Sequence, residues 1–137
     1  DPKKSHMIPA VIDKIHKAKV NDEKFVEIWG DGSARREFMY AEDLADFIWY
    51  CVDNFNKLDL YTNVGLGYDY SIKEYYEIIA DVVGYNNEFN LNLDKPSGMS
   101  RKLCSVEKQD NLGWKPKFSI KDGIKNTYEY YLKNYAI

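Results

Sequence analysis

At 137 residues the chain is long enough for one hydrophobic core and short for an enzyme with separate cofactor and substrate lobes, so one domain is expected. A net charge of −3, with 45% hydrophobic and 30% charged residues, is the balance of a soluble globular protein and gives no support to a nucleic-acid face. No apolar run reaches bilayer length and no signal-peptide pattern opens the chain, so no membrane partner is expected and a cytoplasmic location is.

The opening DPKKSHMIPA reads as the end of a loop running into a helix, as in the tail of a larger protein. Ser5 is placed to cap that helix, and Ile8, Val11, Ile12 and Ile15 recur at helical spacing over residues 6–19, with Pro9 tolerated in the first turn. KFVEIW (24–29) alternates as a strand, GDGS is turn chemistry, and REFMY is a second extended piece. Whether these two pair or lie in different sheets is open. From Ala41, an apolar stripe of Leu44, Phe47, Ile48, Cys51, Val52 and Phe55 marks a second helix, with Glu42 and Asp43 in the first turn where its dipole favours negative charge.

LYTNVGLG reads as a buried strand ending in a glycine turn. Ser71 and Glu74 form a capping box for a helix that turns Ile72, Tyr75, Tyr76, Ile79, Val82 and Val83 inward and stops at Gly84. EFNLNL alternates again, DKPSGMSRK is a loop, and a short helical turn over 106–111 follows. The last helix opens at Ser119 with Asp122 in its first turn and lines Ile120, Ile124, Tyr128, Tyr131, Leu132 and Tyr135 on one face. Helices alternating with short strands predict an α/β layer arrangement. Cys51 and Cys104 stand in dissimilar contexts, so neither a disulfide framework nor a metal cluster is expected.

Only three arginines stand among nineteen basic residues. Arg35 and Arg36 follow the glycine turn, and Arg101 ends a second Gly-containing stretch. A glycine turn lets backbone approach a ligand, and a guanidinium fork matches two oxygens of a phosphate or carboxylate. The rival reading pairs these arginines with Glu37, Glu42 or Asp43 at the surface, for about 0–1 kcal/mol. Trp29 either stacks on a flat ring or, the commoner case, finishes a core strand. His6 at a helix start is placed to give a proton or hold a cofactor amide, though a lone exposed histidine usually does neither. Lys14 and His16 fall on the more polar side of their helix. The loop at 95–102 gathers Lys95, Arg101 and Lys102 round a Pro/Gly kink, which suits an anion or plain solvent. No nucleophile triad, metal spacing or phosphate-cradling glycine loop is present.

Taken in order, SHMIPAVIDKIHKAK, VEIWGDGSARREFMYAEDLAD, TNVGLGYDYSIKEYYEIIADVVGY, DKPSGMSRKL and LGWKPKFSIKDGIKNTYEYYL resemble the C-terminal part of the GDP-L-fucose synthases. These are extended short-chain dehydrogenases/reductases that act as NADP-dependent GDP-4-keto-6-deoxy-D-mannose 3,5-epimerases/4-reductases. The resemblance covers essentially the whole chain, and WG-G-RREF followed by DLAD is its most specific part.

It implies that residues 1–137 form a C-terminal GDP-sugar-binding domain, a small α/β substrate lobe. NADP would be bound mainly by an N-terminal Rossmann domain absent from this chain, as would the Tyr-x-x-x-Lys catalytic set. The isolated chain is then expected to be inactive. Carried over by motif, His6 lies at the cofactor and takes the acid role in epimerisation, while Lys14, Trp29, Arg36 and Lys102 contact the GDP-sugar. Ser97 stands where the family has an aspartate, and its hydroxyl keeps hydrogen bonding but brings no charge. A related GDP-4-keto-sugar reductase or epimerase therefore stays open, as do a non-catalytic nucleotide-sugar-binding module and an interaction domain docking through the last helix. A homodimer of the full-length enzyme is left open too.

Overall fold

The computed structural model of the chain describes residues 5–136. The loop end read into residues 1–4 lies outside them. The elements run α1 (Met7–Val20), β1 (Phe25–Trp29), β2 (Arg35–Arg36), α2 (Ala41–Asp53), a 3-10 turn (Phe55–Lys57), β3 (Tyr70–Ser71), α3 (Ile72–Val83), β4 (Glu88–Asn92), β5 (Arg101–Lys102), α4 (Glu107–Leu112) and α5 (Ile120–Asn134). This is the expected α/β arrangement, with more helix than strand. The two early extended pieces lie in different sheets. β1 pairs in parallel with β4, Phe25 opposite Glu88 through Trp29 opposite Asn92, whereas β2 is the middle strand between antiparallel β3 and parallel β5.

One core holds the first sheet and three helices together. Val11, Ile12, Ile15 and Ala18 of α1 meet Val26 and Ile28 of β1, and Tyr75, Tyr76, Ile79, Ala80 and Val83 of α3 pack against both α1 and the Ile120–Ile124 end of α5. Each fully buried aliphatic side chain there contributes about 1.5–3 kcal/mol. The capping box of α3 is formed as read: Ser71 Oγ accepts from the Glu74 amide at 3.1 Å, Glu74 Oε2 accepts from the Ser71 amide at 2.6 Å, and Gly84 closes the helix in the left-handed region. At the start of α5, Ser119 Oγ accepts from the Asp122 amide at 3.1 Å, without the reciprocal bond from the Ser119 amide.

Three expectations are corrected. Ser5 does not cap α1; His6 holds the cap position without a side-chain bond, and the Ser5 hydroxyl donates instead to His6 O. LYTNVGLG is not a strand, because no described strand lies beside it to complete a ladder; Leu60 and Tyr61 stand in solvent. The stripe of α2 is helical as predicted yet uncovered: Phe47 is its one buried apolar residue, while Leu44, Ile48, Val52 and Phe55 are exposed. At the far end of α5, Leu132 and Tyr135 are exposed too, for the same lack of a covering element.

Candidate functional site

The pleat of β1 decides where its tryptophan points. Val26 and Ile28 take the inward positions, so Phe25, Glu27 and Trp29 share the outer face. Trp29 is 60% exposed, and the core-strand reading of this residue gives way to a presented indole. The Lys95 ammonium lies 5.5 Å above its ring centre, within cation–π range. Beside it, Glu27 accepts from Asn92 Nδ2 at 2.8 Å; that bond first, then the Trp29 indole and the charges of Lys14 and Lys95, hold its carboxyl below the usual range.

Next along the chain, the glycine turn receives the loop that carries Lys95. A Cβ on Gly30 would fall 2.5 Å from Ser97 Oγ and 3.1 Å from Ser97 Cα, and Gly30 also sits at φ 70°, so no other residue fits this seat. Ser97 Oγ donates to Asp31 Oδ1 at 3.3 Å, and the Asp31 carboxyl is held below its ordinary value chiefly by the Ser33 amide. One residue further, Gly98 lies against Arg36: a Cβ there would come 3.5 Å from Arg36 Nη2. The loop thus runs from the indole across the turn to the guanidinium.

The three arginines have separate fates. Arg35 Nε donates to Asp69 Oδ1 at 2.7 Å, its Nη2 to Asp69 O at 2.7 Å and its Nη1 to Glu74 Oε2 at 3.4 Å. Arg101 Nε donates to the other Asp69 oxygen at 2.5 Å. The Asp69 side chain is only 2% exposed, and Arg101 first, then Arg35, hold its carboxyl below the usual range. Arg36 is different: Nη1 donates to Arg35 O at 2.7 Å, and no carboxylate among the described residues lies within ion-pair distance. Its register partner on β5 is the exposed Lys102, just as Arg101 is the partner of Arg35. By the pleat, Arg35 and Arg101 share one face with Asp69 between them, and Arg36 and Lys102 share the other. Tyr75, fully buried on α3, donates to Arg36 O at 3.0 Å and so ties this strand to the core.

The surface pairing with Glu37, Glu42 or Asp43 does not occur. Glu37 instead accepts from the amides of Leu66, Gly67 and Cys104; Glu42 accepts from Tyr40 Oη; buried Asp43 accepts from the amides of Lys117 and Phe118. Glu37 and Asp43 thus knit distant loops, Glu42 makes a bond within its own helix start, and none neutralises an arginine.

Lys14 meets this cluster through Glu27, whereas His6 borders a separate cavity. Lys14, read onto the polar side of α1, is half-buried: its ammonium donates to the Glu27 carbonyl and lies 6.0 Å from the centre of the Tyr76 ring, and burial lowers its pKa against the opposing pull of Glu27. His16 is bound to the last helix, Nδ1 lying 3.0 Å from Tyr128 Oη. Exposed His6 borders a cavity of about 380 Å³ whose walls come from Ile8, Phe38, Tyr40, Leu66, Ile120 and Ile124 among others. That cavity is apolar, and none of Trp29, Arg36, Ser97 and Lys102 lines it.

Residues 1–67 match the NAD dependent epimerase/dehydratase family. A GDP-L-colitose synthase from Yersinia pseudotuberculosis is 52% identical over 96% of this chain and 43% of its own length, and a GDP-L-fucose synthase from Azorhizobium caulinodans is 45% identical over 96% and 42%. The chain is thus similar to part of an NAD dependent epimerase/dehydratase. In three dimensions it superimposes on a GDP-mannoheptose C4 reductase from Campylobacter jejuni with NADP bound, at a TM-score of 0.81 and 33% identity, over 96% of this chain and 48% of that one. The chain therefore spans less than half the length of the family members it matches, and its fold is that of part of an extended short-chain dehydrogenase.

Two site residues escaped sequence reading. Asp69 sits in YDYS, where its signal was indirect: three arginines in a chain this acidic each need an explanation, and a carboxylate two residues before a capping Ser is within reach of one. Glu27 alternates on the outer face of β1, and only the pairing of β1 with β4, which brings the Asn92 side chain within hydrogen-bonding distance, reveals its role.

Proposed function

We propose that this chain is the GDP-sugar-binding, C-terminal domain of an NADP-dependent epimerase/reductase of that family, acting on a GDP-4-keto-6-deoxy sugar. The observation that supports this best is Arg36: a guanidinium without a carboxylate partner among the described residues, register-paired with Lys102, beneath a loop whose Lys95 covers an exposed tryptophan. Two fixed cations suit a diphosphate, and an indole presented outward suits a purine face. Ser97 adds a neutral hydroxyl at the loop tip. Lys14 spends one of its three donors on Glu27 O, which leaves two for the sugar nucleotide.

Chemistry at the sugar follows from its ketone. A carbonyl at C4 acidifies the neighbouring C–H bonds, so inversion there needs a base on one face and a proton donor on the other. His6 is the donor in this reading, standing exposed at the rim of its cavity with both ring nitrogens uncommitted to any described residue.

A dinucleotide needs a cradle for its pyrophosphate, and the described residues hold none, since no helix here opens on a glycine-rich turn. NADP accordingly belongs, in this reading, to the portion of such proteins that this chain does not span. The uncovered stripe of α2 and the 60–67 segment, which has no strand partner among the described residues, are then the surface on which that portion rests.

The fucose and colitose relatives leave the sugar to be chosen. The two sugars differ at C3, which carries a hydroxyl in fucose and none in colitose. The greater identity to the colitose synthase and the neutral Ser97 make a GDP-L-colitose synthase the second reading. Turnover of the 3-hydroxylated against the 3-deoxy GDP-4-keto sugar decides between them.

Arg36→Ala tests the shared part. Loss of a charge-assisted bond to phosphate is expected to weaken GDP binding by about 1.5–3 kcal/mol in titration calorimetry. Arg36→Lys should recover only part, because the fork is gone. Unchanged affinity with the fold intact removes Arg36 from the site.

A further inference from the structure

We propose that Asp69 is a positioning residue: by clamping Arg35 and Arg101 it sets the register of β5 on β2 and thereby holds Lys102 beside Arg36. The proposal rests on the sugar-nucleotide reading for what those two cations bind, though not for the clamp itself.

β2, β3 and β5 are two residues long each. So short a ladder cannot fix its own register, and side-chain period two makes any slip of one residue exchange the faces. If β5 moved by one residue against β2, Arg101 or Leu103 would replace Lys102 opposite Arg36. Something else must pin the alignment. The Asp69 carboxylate does so by geometry: it lies just before β3, is buried, and gives one oxygen to an arginine from each of the other two strands, Arg35 at 2.7 Å and Arg101 at 2.5 Å. Asp69 O takes a further bond from Arg35, and the Arg35 amide donates to Ser100 O at 2.8 Å immediately before β5. Each of these contacts depends on the same alignment.

The clamp also divides labour among the charges. Arg35 and Arg101 face Asp69 and, more loosely, Glu74, so this group is neutral as a whole. The positive field offered to an anion then comes from Arg36, Lys102 and Lys95. Two of the chain's three arginines serve to aim the third.

The sign of one substitution separates this role from a simple electrostatic one. Asp69→Asn removes a negative charge near an anion site, which by field alone would tighten GDP binding. It also leaves a single acceptor oxygen for two arginines, which by the clamp would loosen β5. The experiment uses the chain with its native flanking sequence and GDP as the probe. Asp69→Asn is expected to weaken binding about tenfold, and to add less than about twofold in a Lys102→Ala background, since it acts through that residue. In parallel, hydrogen exchange at the Arg35 amide should speed up about tenfold or more in Asp69→Asn while amides in the α1–α3 core keep their protection. GDP affinity that is unchanged or tighter, losses that multiply across the two backgrounds, or an unmoved Arg35 amide would each overturn the proposal. Should the unmutated protein fail to bind GDP, the sugar-nucleotide reading falls, and the exchange measurement decides the clamp by itself.

Discussion

α2 and α3 look alike in sequence and differ in the structure. Both carry an apolar stripe at helical spacing, both place an acidic residue in the first turn, and both run twelve or thirteen residues. Yet α3 buries Tyr75, Tyr76, Ile79, Ala80 and Val83 against α1 and α5, whereas α2 buries Phe47 and leaves Leu44, Ile48, Val52 and Phe55 in solvent. Periodicity states that a face is built to be covered; it does not state by what. Among the described residues α3 finds its cover and α2 does not. The neighbouring 60–67 segment says the same in strand language, since it has the composition of a buried strand and no strand partner among the described residues.

The sharpest way to break the comparison is in the covered half. Ile79 is fully buried where α3 meets the core, and Ile79→Ala is expected to cost about 2–5 kcal/mol in denaturant unfolding, as removal of buried methyl groups leaves a cavity. A loss under 1 kcal/mol would mean that the core of α1, α3 and β1 is not the seat of stability. Next in size is the cap. Ser71→Ala removes the acceptor for the Glu74 amide and is expected to cost about 1 kcal/mol, measured the same way. α2 has no such side-chain bond at its Tyr40 cap position, so the two helices differ at their starts as well as on their faces.

These differences also mark what sequence reading could reach. The elements whose signals are local were legible: the capping box, the glycine stop at Gly84, the alternation of β1 and the stripe of α5 up to Tyr131. What failed was non-local. By alternation alone Trp29 leaned to the core, against the substrate contact that the resemblance assigned it, because a strand with apolar ends gives no clue to which face is packed, and only the inward placing of Val26 and Ile28 turns its indole outward. Arg35 and Arg36 are adjacent and chemically identical, and only the family resemblance assigned Arg36, rather than Arg35, to the sugar nucleotide. Their separation into a clamped structural arginine and an unpaired one depends on Asp69, thirty-four residues away from Arg35 along the chain. Ser5 is a smaller case, in which good capping chemistry stands one residue too early.

The mildest substitution carries the most information about the uncovered half. Ile48 is 56% exposed on the α2 stripe. In the chain by itself, Ile48→Ser should change the unfolding free energy by no more than about 0.5 kcal/mol, because little apolar area is returned to water. In the chain with its native flanking sequence the same change should cost about 1–3 kcal/mol if a further lobe covers the stripe. The contrast between the two measurements, rather than either value, is the test. A large loss already present in the short chain would mean that copies of the chain cover the stripe for each other, which sedimentation at several concentrations would expose as association. No loss in either would mean that α2 keeps its stripe in water, and that its likeness to α3 is one of pattern without packing.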